Sequence, residues 1–391
     1  MEKKEKMEKI KTYDIVNAGS ESRFLANRRI VSNSGRLIQA QNMPATHMQG
    51  LEQARELLKQ GNFEALEMLY PCVLDVLSQL IRTAFIPSIP SEGSDDREKS
   101  NSNSKNNNNN DNSNSKAKKL IVADFSSIEA LVLGWLAGEQ WVLDAYSKGE
   151  DLYIKNVERM FNAPVGSVDK KSPLRQKSKI AVLACGYQGS VGALKAFGAT
   201  KMGIAEKDLQ GLVDAWRSAN PAIVKYWWDC DRAARTAVTD KTTVIVGNGN
   251  GEGNTSNQIS FIYDQGLLFI ELPSGRRLAY QNPRLGTNRF GSECITYEGI
   301  VTGKKWGIIE SSPGKWVENI TQAVARDLLY HAMHTLRKYQ IVMHVHDEIV
   351  IEADSDVEVR DICKLMSRVP DWAEGLPLEA DGFECNFYKK D

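Results

Sequence analysis

The sequence predicts an α+β fold, with helices gathered around a small antiparallel sheet. Three observations carry that expectation. Two short apolar runs of strand character each carry acids: LIVAD at 120–124 and VMHVHDEIVIE at 342–352. Several longer stretches repeat apolar residues at helical spacing. A Pro-Ser-Gly turn at 273–275 sits between two apolar runs, as in a hairpin. The 391 residues, 42% hydrophobic and 25% charged, suffice for a large core in one or two domains.

Taken in order, Leu51, Ala54, Leu57 and Leu58 mark a helix that stops at Gly61, and Val73, Val76, Leu77 and Leu80 mark one over 73–83. Residues 91–118 are almost all Asn, Ser and charge, so they are expected to be a disordered insertion in a surface loop. A buried strand follows at 120–124 and a helix at 127–137. Ser172 before Pro173 is a helix start, Ser as N-cap and Pro in the first turn, for a helix reaching about Tyr187. The rest reads as a hairpin over 268–280, a long helix over 316–338, a hairpin over 341–352 and a helix over 357–366.

Lys+Arg 49 against Asp+Glu 50 gives a net charge of −1, which excludes a uniformly basic, histone-like protein but not a local basic stripe. Cys72, Cys185, Cys230, Cys294, Cys363 and Cys385 form no C-x-x-C pair, so reduced thiols are expected rather than disulfides or zinc. No apolar run reaches the roughly 18 residues of a membrane helix, and the charged start lacks a signal-peptide core. A soluble, cytoplasmic protein with no membrane partner is expected.

The acids come first among the candidates for chemistry. Asp124 ends an apolar strand, and Asp347 and Glu348 interrupt another. Carboxylates in such surroundings need cations or hydrogen bonds. Aspartates from two strands can together hold two magnesium ions, which stabilise attacking and leaving oxygens in phosphoryl transfer. The plainer reading is an acid that opens a loop after a strand.

Arg175, Lys179, Leu183 and Tyr187 recur every four residues, one helix stripe about 18 Å long. Two cations near the helix start and an aromatic ring at the far end match the polarity of a nucleoside triphosphate. Lys170, Lys171 and Lys177 add local positive charge. The plainer reading is an amphipathic helix with a solvated basic start. Glu318, Gln322 and Arg326 also lie four apart, either an ordinary exposed face or donors to nucleic acid.

Together these segments resemble one family. DFSSIEA (124–130), RQKSKIAVLACGYQG (175–189) and HVHDEIV (344–350) resemble motifs A, B and C of family A, Pol I-like, DNA polymerases, in the right order. GRLIQAQNMP (35–44) and ENITQAVARD (318–327) resemble segments upstream of motifs A and C. ITYEG (295–299) and the ending WAEGLPLEADGFECNFYKKD (372–391) resemble the phage and prophage branch.

The resemblance implies a right-hand polymerase palm plus helical fingers. It implies palm-associated helices over 26–90, palm with motif A over 119–151, fingers over 152–235 and palm with motif C over 236–391, leaving 1–25 unassigned. Asp124 and Asp347, with the Phe125 carbonyl, match the ligands of two Mg²⁺ ions, and Glu348 matches the second acid of motif C. Arg175 and Lys179 match triphosphate contacts, Lys179 also a proton donor to the leaving pyrophosphate. Tyr187 and Leu183 match the nucleotide pocket, His346 the histidine beside the primer end, and Glu129 the steric gate against a ribose 2′-hydroxyl. Gln41, Asn42, Gln322 and Arg326 match template–primer contacts. The implied partners are primed DNA and dNTPs.

Three departures stand out. Leu183 replaces the aromatic of many bacterial members. Leu131 replaces an arginine, and the family's upstream Thr-Gly-Arg is missing, with Arg36 or Arg29 as possible substitutes. Losing both arginines removes DNA contacts of about 1–3 kcal/mol each. The resemblance starts some 25 residues from Met1, so thumb and exonuclease domains are expected to be absent, with low processivity and no proofreading. A separate thumb- or exonuclease-bearing polypeptide is then an expected partner. The alternatives are a weak or inactive nucleic-acid-binding remnant, one half of a split polymerase, and a ribonucleotide polymerase or reverse transcriptase.

Overall fold

A computed structural model describes residues 23–26, 29–32, 48–88, 117–247, 257–301 and 305–389. The chain opens with a hairpin of β1 (Arg23–Ala26) and β2 (Arg29–Ser32), followed by helices α1 (Leu51–Lys59), α2 (Phe63–Leu69) and α3 (Val73–Leu80). Ala54, Leu66, Val76 and Leu80 close a small core of their own among these helices. Most of the Asn/Ser-rich segment, 91–116, lies outside the described residues. Its last residue, Lys118, instead begins strand β3 (Lys118–Phe125), paired in register and by a 2.8 Å ion pair with Asp354.

Helix α4 (Ile128–Ala137) is buried along nearly its whole length, as its run of apolar residues on every face demands. The helical region that follows comprises α5 (Gln140–Ser147), α6 (Leu152–Phe161), α7 (Pro173–Cys185), α8 (Val191–Ala196), α9 (Leu209–Ala219) and α10 (Pro221–Asp240). Trp216 and Trp227 stack between α9 and α10, ring planes within 9°.

A six-stranded antiparallel meander comes next: β4 (Thr243–Val246), β5 (Ile259–Asp264), β6 (Leu267–Glu271), β7 (Arg277–Thr287), β8 (Glu293–Val301) and β9 (Lys305–Glu310). Only its β6–β7 hairpin was expected. Gly275 supplies the φ of 79° that the turn requires. Helix α11 (Pro313–Thr335) starts three residues before the expected point, because the Ser312 side chain caps it by accepting from the Lys315 amide. The chain ends with β10 (Gln340–Val345), β11 (Glu348–Asp354), α12 (Val359–Met366) and β12 (Ala380–Cys385).

Strands β10, β11, β3 and β12 form a second antiparallel sheet in that order. Alternate residues divide between its faces. Ile121, Ala123, Phe125, Ile349 and Ile351 enter the main core with α4, α11 and α12. Leu120, Val122 and Val350 pack with Tyr388, Phe85 and Phe383 on the other face. Asp124 has the parity of Leu120 and Val122, so it ends the row on that second face. Antiparallel sheet and helices together match the palm-and-fingers α+β expectation.

All six cysteines are free, and burial pushes the Cys185 thiol up to about 12. No helix of the described residues is long and apolar enough to cross a membrane.

Candidate active site

The site is assembled where two chain reversals meet at one end of the four-stranded sheet, beyond its two central strands. β3 ends at Asp124–Phe125, and the turn after it passes through Ser127 at φ 46°. Tyr146 holds this turn, its hydroxyl donating to the Ser126 carbonyl at 2.6 Å. The β10–β11 hairpin turns over His346 and Asp347, with Val345 paired to Glu348 and His346 at φ 53°. The Phe125 amide donates to the Asp347 carbonyl at 3.3 Å. Asp124 and Asp347, 223 residues apart in the sequence, are thereby tied together at this end of the sheet.

Register adds two further acids. Asp124 is flanked by Glu348 of β11 on one side and by Asp381 of β12 on the other, so three acids span adjacent strands. Ser126 Oγ donates to Asp381 at 3.2 Å. Glu348 is 2% exposed and accepts from the Tyr388 hydroxyl at 2.7 Å, while buried Arg82 donates to the same hydroxyl at 2.8 Å. Burial, then the Glu348 contact, raises the Tyr388 phenol well above its ordinary value, which keeps it a neutral donor. Tyr388→Phe removes one partner from each of two buried charges. It is expected to cost about 2–3 kcal/mol of stability, read as a lower denaturant midpoint; an unchanged midpoint would show that the hydroxyl carries nothing.

Opposite this end of the sheet stands α7. Ser172 caps it as expected, accepting from the Leu174 amide. Arg175 donates to Asp151 at 2.8–2.9 Å, and Asp151 also caps α6 through the Tyr153 and Ile154 amides. The Tyr153 ring lies 5.3 Å from the Arg175 guanidinium and 5.9 Å from the Lys179 ammonium, one aromatic face shared by two cations. At the other end of the stripe, the Tyr187 hydroxyl donates to Glu129 at 3.1 Å. Burial first, and the Glu129 charge second, push the Tyr187 phenol far up, so it remains protonated.

Between the two walls lies a cleft of about 570 Å³. Glu129 and Ser127 line it from motif A, Leu183 from α7, His346 and Asp347 from the hairpin, and Gln322 and Arg326 from α11. The last two are exposed toward it, as expected of donors to a polyanion. A recess of about 290 Å³ adjoins the Ser126–Ser127 turn, with Arg175, Lys170, Asp151, Glu379 and Asp381 in its walls. Arg36, Gln41 and Asn42, and with them the segment 35–44, lie outside the described residues.

Among the described residues, no three His, Cys, Asp or Glu side chains form a closed metal cage. Magnesium does not need one: it takes one or two carboxylates and completes its shell with water and phosphate oxygens. Asp124, Asp347 and the Phe125 carbonyl are hard oxygen donors of that kind, so the donor set fits the ion.

Of the residues singled out from the sequence, the cleft gathers Glu129, Leu183, Gln322, Arg326, His346 and Asp347. Arg175 lines the adjoining recess, Tyr187 meets the cleft through Glu129, and Asp124 and Lys179 line neither space. Sequence reasoning missed Tyr153, Asp151, Asp381, Arg82 and Tyr388. Asp151 was readable as an N-cap before α6, but its pairing with Arg175 across 24 residues was not. Leu131, expected to mark a lost DNA contact, is fully buried in the main core, so its side chain does not face the cleft.

Comparison with known proteins agrees with this architecture. No family model matches the chain. A DNA polymerase of Bacillus phage SP02 is 45% identical over 362 residues, 92% of this chain and 50% of the relative. DNA polymerase I of Lactococcus lactis subsp. lactis is 27% identical over 268 residues, 67% of this chain and 25% of that protein. The chain thus spans about half the length of the phage relative. Among solved structures, the POL domain of Pol1 from M. smegmatis, in complex with DNA primer-template and dNTP, superposes with a TM-score of 0.52 at 17% identity. That match covers 92% of this chain and 45% of that one, a likeness of fold.

Proposed function

From a chain related to the family A, Pol I-like, DNA polymerases, its phage branch included, we propose a template-directed DNA polymerase that adds dNTPs to a primer 3′ end. The observation that carries the reading is the cleft that gathers Asp347, His346, Glu129, Leu183 and the Gln322–Arg326 face, with Tyr187 bonded to Glu129 at its wall and the Asp124–Phe125 strand end bonded to Asp347.

In this reading Asp124, Asp347 and the Phe125 carbonyl hold two Mg²⁺ ions. When bound, the ions lower the cost of charge on the attacking and leaving oxygens. Arg175 and Lys179 take the triphosphate, Arg175 by exchanging the Asp151 carboxylate for phosphate oxygens. Lys179 holds a proton where the pyrophosphate leaves. Glu129, fixed by Tyr187, fills the space a ribose 2′-hydroxyl needs, and His346 sits beside the primer end. Gln322 and Arg326 donate to the template–primer, with Arg36, Gln41 and Asn42 assigned to the same duplex. Glu348 supports this end of the sheet from the buried side through Tyr388.

The test is primer extension by the purified chain with Mg²⁺ and a short primed template at low salt. Templated extension that prefers dNTP over rNTP is the expected result. A folded chain that binds primed DNA and never extends it, alone or with an added thumb-bearing polypeptide, would favour the inactive-remnant alternative. In the same assay the purified chain is expected to leave mismatched primers untrimmed and, with a DNA trap present, to give short products.

The Arg175–Asp151 pair has its own pH signature. Burial raises the Asp151 carboxyl, but its bonds from Arg175 and two amides outweigh that and leave it below its ordinary value. A depressed carboxylate contributes stability above its unfolded value, about pH 4, and loses it as pH falls through the folded value. The stability gap between the parent chain and Asp151→Asn is therefore expected at pH 7 and should vanish in acid. A gap independent of pH from 7 to 3 would count against the pairing.

A further inference from the structure

The residue that fixes the Tyr187 backbone lies 127 positions away, at the start of α11. A Cβ built on Gly314 would stand 2.2 Å from the Tyr187 carbonyl oxygen and 2.7 Å from its carbon. Only glycine lets the two backbones meet this closely. The contact is bonded as well as close: the Gly314 amide donates to Gln188 Oε1 at 3.1 Å. Gly314 lies in the first turn of α11, where amides have no partner within the helix, so the Gln188 side chain satisfies one of them.

The rest of the 186–189 turn is clamped in the same manner. Gln188 itself is left-handed, at φ 63°. Trp227 Nε1 donates to the Gly186 carbonyl at 2.8 Å, and Arg217 to the Gly189 carbonyl at 3.3 Å. A Cβ on Gly189 would stand 1.8 Å from the Ala184 carbonyl oxygen. The tyrosine that closes onto Glu129 is thus held from behind by palm helix α11 and by α9 and α10. The opposite end of α7 has the Arg175–Asp151 ion pair, a contact of side chains.

We infer that Gly314 and Gln188 are positioning residues for sugar selection: together they set the Tyr187 backbone, and through it the Glu129 carboxylate, at the nucleotide pocket. This rests on the polymerase reading above. A shift of the Tyr187 carbonyl by a methyl's width moves the hydroxyl that orients Glu129. The effect therefore falls on nucleotide binding and on the choice between deoxyribose and ribose, not on DNA binding.

The experiment compares the parent chain with Gly314→Ala, Gln188→Ala, Tyr187→Phe and the double variant Gly314→Ala/Tyr187→Phe. Gly211→Ala serves as a glycine control, since a Cβ there meets nothing within 4 Å. Gly314→Ala is expected to lower dNTP kcat/KM by about 10²-fold, mainly through KM, and to reduce dNTP-over-rNTP selectivity roughly tenfold. Affinity for primed DNA without nucleotide stays at the parent value. In the Tyr187→Phe background the further loss of selectivity should be small, since both act through one hydroxyl. Should Gly314→Ala fail to fold, Gln188→Ala carries the test, with the same direction and a smaller effect.

A folded Gly314→Ala or Gln188→Ala with parental KM and selectivity would overturn the inference, as would additive losses in the double variant. If the parent itself never extends a primer, the polymerase reading fails. Hydrogen exchange then decides the clamp: Gln188→Ala should speed exchange at the Gly314 amide and at 186–189, and unchanged rates would overturn it.

Discussion

Asp124→Asn and Asp347→Asn are each expected to abolish detectable templated primer extension while leaving the fold and DNA affinity near the parent's. Each substitution keeps the shape of the side chain and removes the negative charge that a magnesium ion needs. Losing a charge-stabilising metal contact costs several kcal/mol in the transition state, and at about 1.4 kcal/mol per decade the rate falls roughly 10³–10⁴-fold. Both residues are tied together at one end of the sheet by the Phe125 amide bond to the Asp347 carbonyl, so neither can replace the other. Single-turnover extension at saturating dNTP is the measurement. An Asp124→Asn or Asp347→Asn chain extending within tenfold of the parent would place the chemistry elsewhere. Glu348→Gln offers a contrast: its oxygen is already engaged by Tyr388 in a buried setting. Its effect is expected mainly in stability.

Leu131→Arg is the second large effect. Family A members usually carry arginine at this point of motif A, so restoring it would strengthen DNA binding if the position faced the duplex. The structure places Leu131 at 0% exposure on α4, among residues of the main core. A guanidinium there meets the apolar side chains of that core. An uncompensated buried charge is expected to cost about 4 kcal/mol or more. Denaturant unfolding should show a large fall in midpoint with no gain in affinity for primed DNA. A variant as stable as the parent that binds primed DNA more tightly would show that the position opens to the cleft. The apolar residue at 131 is therefore part of how this chain packs α4.

What could be read in advance follows a physical pattern. The β3 strand, the β10–β11 hairpin and the α7 start were legible because their signals are local. An apolar run ending in Asp124, and Ser172 followed by Pro173, need no knowledge of distant residues. The α11 start carried the same Ser-Pro signal at 312–313 and was read three residues late from its apolar periodicity alone. The second half of β7, past the expected 268–280 hairpin, was hidden for a different reason. β7 contains Asn282 at φ 47°, Pro283 and a register shift between Gln281 and Arg284, which break the alternation that marks a strand. Motif resemblance drew attention to Tyr297 and its neighbours as a family signature, although they form part of strand β8.

By itself, the sequence determined the chemistry that can be done: which acids, cations and rings are present, and on which strand end or helix stripe each lies. Those are consequences of side-chain identity and of periods of two and 3.6 residues, both local. Only the tertiary structure decided which of them meet. It set Glu348 against Tyr388 and Arg82, gave Arg175 the Asp151 carboxylate, and turned Leu131 inward. It also seated Gly314 under Tyr187. Each is a contact between segments that no local period relates. Such contacts form only when the whole core is packed, because close packing leaves each buried group one set of neighbours.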